Sequence, residues 1–182
     1  MAVSKELCGR YVRLRAAEER DAEFSLALRM DEKYAHCFPT FKGTVESQIE
    51  WIREQRKKMG DYLFIVENKK GEKIGIDSVY NQNCNEIEIG RTIMTGNSME
   101  SIESHYLLIV FSFYTLNVDR IVACVFEDNE SSIRYNYPFG GTVKDSEIVV
   151  DNRKMKQVEI RKVDFEKAKR KVERYLYRCR QI

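Results

Sequence analysis

Histidine, proline and tryptophan are scarce in this 182-residue chain (two, two and one), and no two cysteines form a CxxC pair. His36 and His105 are the only imidazoles, and Cys8, Cys37, Cys84, Cys124 and Cys179 stand far apart. A structural zinc site therefore lacks its ligand pattern, and no metal site is expected. An odd number of scattered cysteines reads as free thiols of a reducing compartment rather than a disulfide framework. His36 and Cys37 are sequence neighbours, a placement that suits a nucleophilic pair poorly in strand or helix. Long apolar runs are missing too. Tyr106 to Val110, resuming at Phe111 and Phe113, falls far short of the roughly 18 residues a membrane span needs. The N-terminal MAVSKELCGRYVRLR has no signal-peptide apolar core. A cytoplasmic protein with no membrane partner is expected. Nine glycines and two prolines leave no fibrous or low-complexity composition.

Hydrophobic residues make up 43% and charged residues 33%, as in an ordinary folded domain, and the length suits one domain spanning residues 1–182. The net charge of +2 is unevenly placed: from Arg153 to Ile182, twelve Lys or Arg face four acidic residues, leaving +8 there and about −6 elsewhere. Such a tail could meet an anionic partner. Its basic residues mostly lie opposite an apolar helical stripe, however, and no zinc finger, helix-turn-helix or glycine–aromatic RNA motif accompanies them, so a nucleic-acid partner is not favoured.

Periodicity supplies the elements. Tyr11 to Arg15 alternates as a first strand, and Glu18 to Met30 carries an apolar stripe at helical spacing through Ala22, Leu26 and Met30. The stretch from His36 to Gly43, with Pro39, breaks that helix, and Thr44 can cap a second one bearing Val45, Ile49 and Ile52. Tyr62–Glu67, Lys73–Tyr80 and Glu86–Ile93 read as an antiparallel meander, the first two joined by the Asn68–Glu72 turn. A polar loop from Thr95 leads to a long helix from about Ser101 to Leu116, then a strand over Arg120–Phe126 and a helix over Asn129–Asn136. Strand, helix and strand in that order signal a parallel crossover. Thr142–Val150 and Val158–Val163 read as an antiparallel pair joined through Asp151-Asn152, and Asp164 can cap a last helix with Phe165, Ala168, Val172, Leu176 and Cys179 on one face.

This order of elements resembles the GNAT superfamily of N-acetyltransferases across nearly the whole chain, most closely its ribosomal-protein N-terminal and amino-sugar branch. Glu88-Ile-Gly-Arg-Thr-Ile resembles the family's fourth strand, the stretch from Tyr106 to Ile121 its coenzyme-binding helix and following strand, and Val125 to Arg134 its asparagine motif. The resemblance implies an α/β (α+β) fold, a GNAT-like mixed central sheet of about six to seven strands with helices on both faces. It also implies transfer of an acetyl or other short acyl group from acetyl-CoA to the primary amine of a small molecule, amino sugar or peptide N-terminus. A homodimer is compatible with it, and a noncatalytic GNAT-like binding or assembly domain is the alternative.

Two motifs depart from the family. The basic position of its phosphate loop falls on Asn97 and the loop glycines on Ser98 and Glu100; further on, Asn136 replaces the usual tyrosine and Gly141 the usual phenylalanine. By the resemblance, the donor's pyrophosphate is expected on Gly96, Asn97, Ser98, Met99, Glu100 and Ser101, and its pantetheine arm on the backbone of Ile93 and Met94 and on Asn129 and Ser132. Backbone N–H groups at a helix start can bind such an anion without a particular side chain. Glu88 is the first choice of base, with Glu86 behind it. Tyr135 and Tyr137, which flank Asn136, are the candidate acids for the departing thiolate, Tyr135 first. Tyr34, His36, Phe38 and Phe41, with the hairpin after Thr142, are expected to frame the acceptor.

Overall fold

The computed structural model describes residues 6–40, 42–146 and 148–178. Its strands are β1 (Leu7–Cys8), β2 (Val12–Ala16), β3 (Tyr62–Asn68), β4 (Lys73–Tyr80), β5 (Glu86–Met94), β6 (Arg120–Phe126), β7 (Thr142–Lys144), β8 (Val149–Val150) and β9 (Arg153–Arg161). The helices are α1 (Ala22–Met30), α2 (Glu32–Ala35), α3 (Val45–Gln55), α4 (Ser98–Tyr114), α5 (Glu130–Tyr135) and α6 (Lys162–Tyr177). The strands form one sheet in the order β1-β2-β3-β4-β5-β6-β9-β7, with β8 hydrogen-bonded to β9. Every pairing is antiparallel except β5 with β6, which α4 connects. The strand count exceeds the expected six or seven because β1 and β8 are two-residue pairings beside tight turns.

Alternation along the central strands fills both faces of the sheet. Phe64 and Val66 join Ile109, Phe113 and Phe165 beneath α4 and α6, while Leu63 and Ile65 join Ile52 and Ile93 beneath α1 and α3. Each large apolar side chain so buried contributes about 1.5–3 kcal/mol. No helix among the described residues is long and apolar enough to cross a membrane.

Helix starts follow local chemistry, with two corrections. Thr44 caps α3 as expected, accepting from the N–H of Ser47 at 3.2 Å. α4 begins at Ser98 instead of about Ser101, because the Asn97 side chain accepts from the N–H groups of Met99 and Glu100. α6 begins at Lys162, before Asp164, so Asp164 is no N-cap; it sits in the first turn, paired with Arg161 and Lys167. The strand before it starts at Arg153, well ahead of the expected Val158, because Arg153 and Lys154 pair with β8 and β9 then pairs with the whole of β6, from Phe126–Met155 to Arg120–Arg161. The basic residues of that stretch are drawn into pairs, Arg153 with Asp128 and Lys156 with Glu127 and Asp145. Cys179 and Arg180 lie outside the described residues.

Two buried charge clusters hold the first strands. Glu103, on α4 and fully buried, accepts from the backbone N–H groups of Arg10 (2.8 Å), Tyr11 (2.5 Å) and Val12 (2.9 Å), anchoring the β1–β2 turn to the helix. Gly9 belongs to this anchor, since a Cβ there would lie 2.3 Å from the Glu103 carboxylate. On the other face Asp21 is bound by Arg15 (2.7 Å) and Lys73 (2.7 Å), and Arg15 also binds Glu67. Burial opposes charge on Asp21, but the hydrogen bonds from Arg15 and Lys73 outweigh it and hold the carboxyl well below the usual range.

Candidate active site

The parallel pair is short. β5 and β6 are in register only from Glu86–Arg120 to Glu88–Val122, and beyond that point the ladder ends while both strands continue. Glu88 therefore stands at the last paired position, beside the divergence. Alternation turns Ile87 and Ile89 into the core beneath α4 and Glu88 to the α1–α3 face. Its carboxylate accepts from the Tyr80 hydroxyl (2.9 Å) and from Asn81 Nδ2 (2.9 Å), one bond to each oxygen. Burial and the Glu88 charge push the Tyr80 phenol upward, so it stays a donor. Glu86 is committed elsewhere, in an ion pair with Arg120 at 2.6 Å.

Beyond Glu88 the strand bulges. The β4–β5 register shifts between Ile76 and Ser78, so Asp77 faces two residues of β5, and Arg91 adopts φ 54. A left-handed non-glycine residue costs about 1–2 kcal/mol and clusters at functional sites. The bulge swings the Arg91 guanidinium between two rings, 3.9 Å from the Tyr80 centroid and 5.2 Å from that of Trp51, with Nη1 bound to Asp61 at 2.9 Å. On β6, Cys124 comes near Glu88; burial and that carboxylate push its thiol up to about 11, leaving it protonated.

The acceptor frame expected from the sequence is brought together in part. Thr40 N–H donates to Asp151 at 2.7 Å and Arg153 to the His36 carbonyl at 2.8 Å, which ties the loop after α2 to the β8–β9 turn. Tyr34 and Phe38 pack against the α1–α3 core, while Phe41 lies outside the described residues. His36 Nε2 and Cys37 Sγ stand 3.3 Å apart, but burial raises the thiol, against what a nucleophile needs.

On the donor side, Thr95 N–H bonds the Ile74 carbonyl, so by ladder alternation the backbone of Met94 faces the divergence and that of Ile93 faces β4. At the start of α4, Asn97 and Glu100 form a reciprocal cap: Asn97 accepts from Met99 and Glu100, and the Glu100 carboxylate accepts from Asn97 N–H at 2.8 Å. The N–H groups of Asn97, Met99 and Glu100 are thus satisfied internally, with a carboxylate lying over the first turn and Gly96 tight against it. Ser98 opens the helix, and the Ser101 hydroxyl is turned back to the Asn97 carbonyl. Asn129 caps α5 through Ser132 N–H.

Between α4, α5 and the sheet lies a buried polar cluster. The Tyr135 hydroxyl donates to the Ser101 carbonyl at 2.5 Å, and its ring packs on His105 and Phe139. Asn136 donates through Nδ2 to the Ser132 carbonyl and meets His105 Nε2 through Oδ1 at 3.0 Å, which makes that nitrogen the protonated one. Burial lowers His105 to about 4, so it is neutral. Tyr137, by contrast, is 49% exposed. Asp77 accepts from Thr92 (2.6 Å) and Ser104 (3.2 Å), yet burial outweighs these bonds and pushes it up to about 7.

A raised carboxyl means the folded state holds a proton that the unfolded chain releases. The associated stability is complete below pH about 4 and is lost as pH rises through about 7. Asp77→Asn is expected to flatten that decline in Tm, measured by calorimetry from pH 4 to 8. Parallel wild-type and variant curves would mean that Asp77 is ionised in the fold. The His105 contribution runs the other way, present above pH about 6.5 and lost toward 4, and it is common to both proteins.

Tyr80, Asn81, Asp61, Trp51 and Arg91 were not foreseen as site residues. Only Arg91 carried a signal, a charged residue interrupting the alternation of β5, and alternation alone could not tell a bulge from a solvent-facing position.

A sheet that is antiparallel except at one diverging parallel pair defines a GNAT-like α/β protein. The chain belongs to the acetyltransferase (GNAT) domain family, whose model matches residues 12–135. Its fold is shared with apo FdhC, described as a nucleotide-linked sugar GNAT, at 23% identity and TM-score 0.82 over 96% of this chain and 100% of that one. A GCN5-related N-acetyltransferase from Brucella melitensis is 19% identical, with TM-score 0.78 over 95% and 86%. Spermidine N-acetyltransferase from Vibrio cholerae, in complex with CoA and spermine, is 17% identical, with TM-score 0.76 over 85% and 98%. Proteins described by a sugar and by a polyamine thus share the fold similarly, and the narrower branch is not singled out. No curated protein sequence matches the chain significantly.

Proposed function

We propose that this protein transfers an acetyl or other short acyl group from acyl-CoA to a primary amine of a small molecule, an amino sugar or a peptide N-terminus, in the manner of the amino-sugar acetyltransferases. The observation that carries this reading is Glu88, a carboxylate at the last paired position of two diverging parallel strands. The thioester lies in the divergence, its pantetheine arm against the edge of β5 that includes Met94, with Asn129 and Ser132 beyond it. Glu88 accepts a proton from the incoming ammonium, directly or through one water, and Tyr80 and Asn81 fix the carboxylate in place. The free amine attacks the thioester carbonyl, the tetrahedral intermediate gives up its second nitrogen proton to solvent and collapses, and the C–S bond breaks to release a thiolate. Tyr137, with Tyr135 as second choice, supplies the proton that makes the free thiol; Tyr135 must first exchange its bond to Ser101.

Donor binding requires the Glu100 carboxylate to leave the first turn of α4. Glu100→Gln is expected to tighten acetyl-CoA binding about three- to tenfold, since a like charge beside a phosphate costs on the order of 1 kcal/mol, with a small loss of capping stability. Titration calorimetry on the two proteins measures it. The same titration tests the enzyme reading: about one donor per chain supports it, whereas no binding at millimolar acetyl-CoA to either protein leaves a noncatalytic GNAT-like domain.

A further inference from the structure

The side chain that holds Glu88 is itself clamped. Tyr80 stands opposite Glu88 in the β4–β5 ladder, and its hydroxyl donates to Oε1 at 2.9 Å while Asn81 Nδ2 donates to Oε2 at 2.9 Å. Each carboxylate oxygen keeps a lone pair, so the group is fixed in direction and still able to accept a proton. The phenol end of Tyr80 crosses Gly90, where a Cβ would lie 2.7 Å from the hydroxyl oxygen, too close for it to stay. The Arg91 guanidinium lies on the ring, 3.9 Å from its centroid. Asp61 fixes that guanidinium through Nη1 at 2.9 Å, and Trp51 stands 5.2 Å away. Pairing with Asp61 alone does not require a guanidinium to lie flat on an aromatic ring; the β5 bulge, with Arg91 at φ 54, brings it there. Backbone strain of this kind persists where the surroundings over-determine it, and it gathers where geometry matters to function.

We infer that Arg91 is a positioning residue for acyl transfer: lying on Tyr80, it keeps the Tyr80 hydroxyl on Glu88 and so keeps the base aimed at the divergence of β5 and β6. Gly90 serves the same end by leaving room for that hydroxyl. Both act through Tyr80 and Glu88 rather than on the reacting atoms. The inference rests on the acyl-transfer reading, with Glu88 as the base.

The test is a double-mutant cycle on the release of free thiol from acetyl-CoA, with ethanolamine, D-glucosamine and the dipeptide Ala-Gly as acceptor probes and the fastest of them carrying the series. Arg91→Gln and Gly90→Ala are each expected to lower kcat about tenfold, the effect of a slightly misplaced base, with acetyl-CoA affinity within about twofold of wild type. In a Glu88→Gln background, where there is no base left to aim, each should cost less than about twofold. A merely structural role would lower kcat by the same factor in both backgrounds. Asp61→Asn loosens the guanidinium without altering β5 and keeps an oxygen for its bond from Gln55; it guards against misfolding of Arg91→Gln and should show a smaller loss, about three- to fivefold, with the same dependence on Glu88. The inference is overturned if Arg91→Gln and Asp61→Asn keep the wild-type kcat, or if their losses are equal with and without Glu88. A wild type that binds acetyl-CoA but releases no thiol with any probe would instead sink the acyl-transfer reading, and the positioning role with it, so the two failures are distinguishable.

Discussion

Glu88→Gln is expected to lower kcat for acyl transfer by about 10²–10³ while leaving acetyl-CoA affinity within about twofold, the effect of removing a positioned base from the chemical step. The substitution suits the site because Gln keeps an oxygen for the Tyr80 hydroxyl and the same length on β5. Its amide nitrogen then faces the Asn81 side chain, which must turn its own oxygen toward it. Tyr135→Phe and Tyr137→Phe provide the contrast. A thiolate leaving group has an ordinary pKa of about 8.5, so losing its acid is expected to cost no more than about tenfold near pH 8. Tyr135→Phe should also lower stability, because its phenol bonds the Ser101 carbonyl. Single-turnover release of free thiol, with donor affinity measured separately, checks the series. A Glu88→Gln enzyme of near wild-type rate would move the base to a water chain or another residue.

Glu103→Ala is expected to destabilise the fold by about 3–5 kcal/mol, because it leaves buried backbone donors unpaired and opens a cavity. For a chain of this size that is a fall in Tm of about 10 °C. The three donors belong to Arg10, Tyr11 and Val12, so the β1–β2 turn should lose protection from hydrogen exchange first. Gly9→Ala should be costly in the wild type, where its Cβ meets the carboxylate, and much less so in Glu103→Ala, where the carboxylate is gone. That non-additivity is the signature of direct contact. A fall in Tm under about 3 °C for Glu103→Ala would mean that the turn is held chiefly by its strand pairing with β2 and β3.

Local patterns carried much of the fold. Thr44 at a helix start, the Asn68–Glu72 turn with Gly71 at φ 80, and the two-residue alternation through β3, β4 and β5 are decided by residues next to one another, so they could be read directly. Where the reading slipped, a distant partner was responsible. Arg153, Lys154 and Lys156 look like loop residues, yet they form a strand because β8 pairs with the first two and β6 with Lys156, and acids from elsewhere meet Arg153 and Lys156. Asp164 has the chemistry of a cap, but the helix begins three residues before the start such a cap would set, at Lys162, whose N–H bonds the distant Asp119 carbonyl.

The same division runs through the candidate site. The amino-acid sequence by itself determined a mixed sheet with one parallel crossover, a carboxylate at position 88 of a central strand and an apolar helix after a polar loop, because each depends on period, side-chain type and order along the chain. Only the tertiary structure decided that β5 and β6 separate just past Glu88, that a bulge turns Arg91 onto Tyr80, and that Asn97 and Glu100 close the first turn of α4. Those features arise where strands lose register and where side chains remote in sequence share one volume, and no local pattern encodes either.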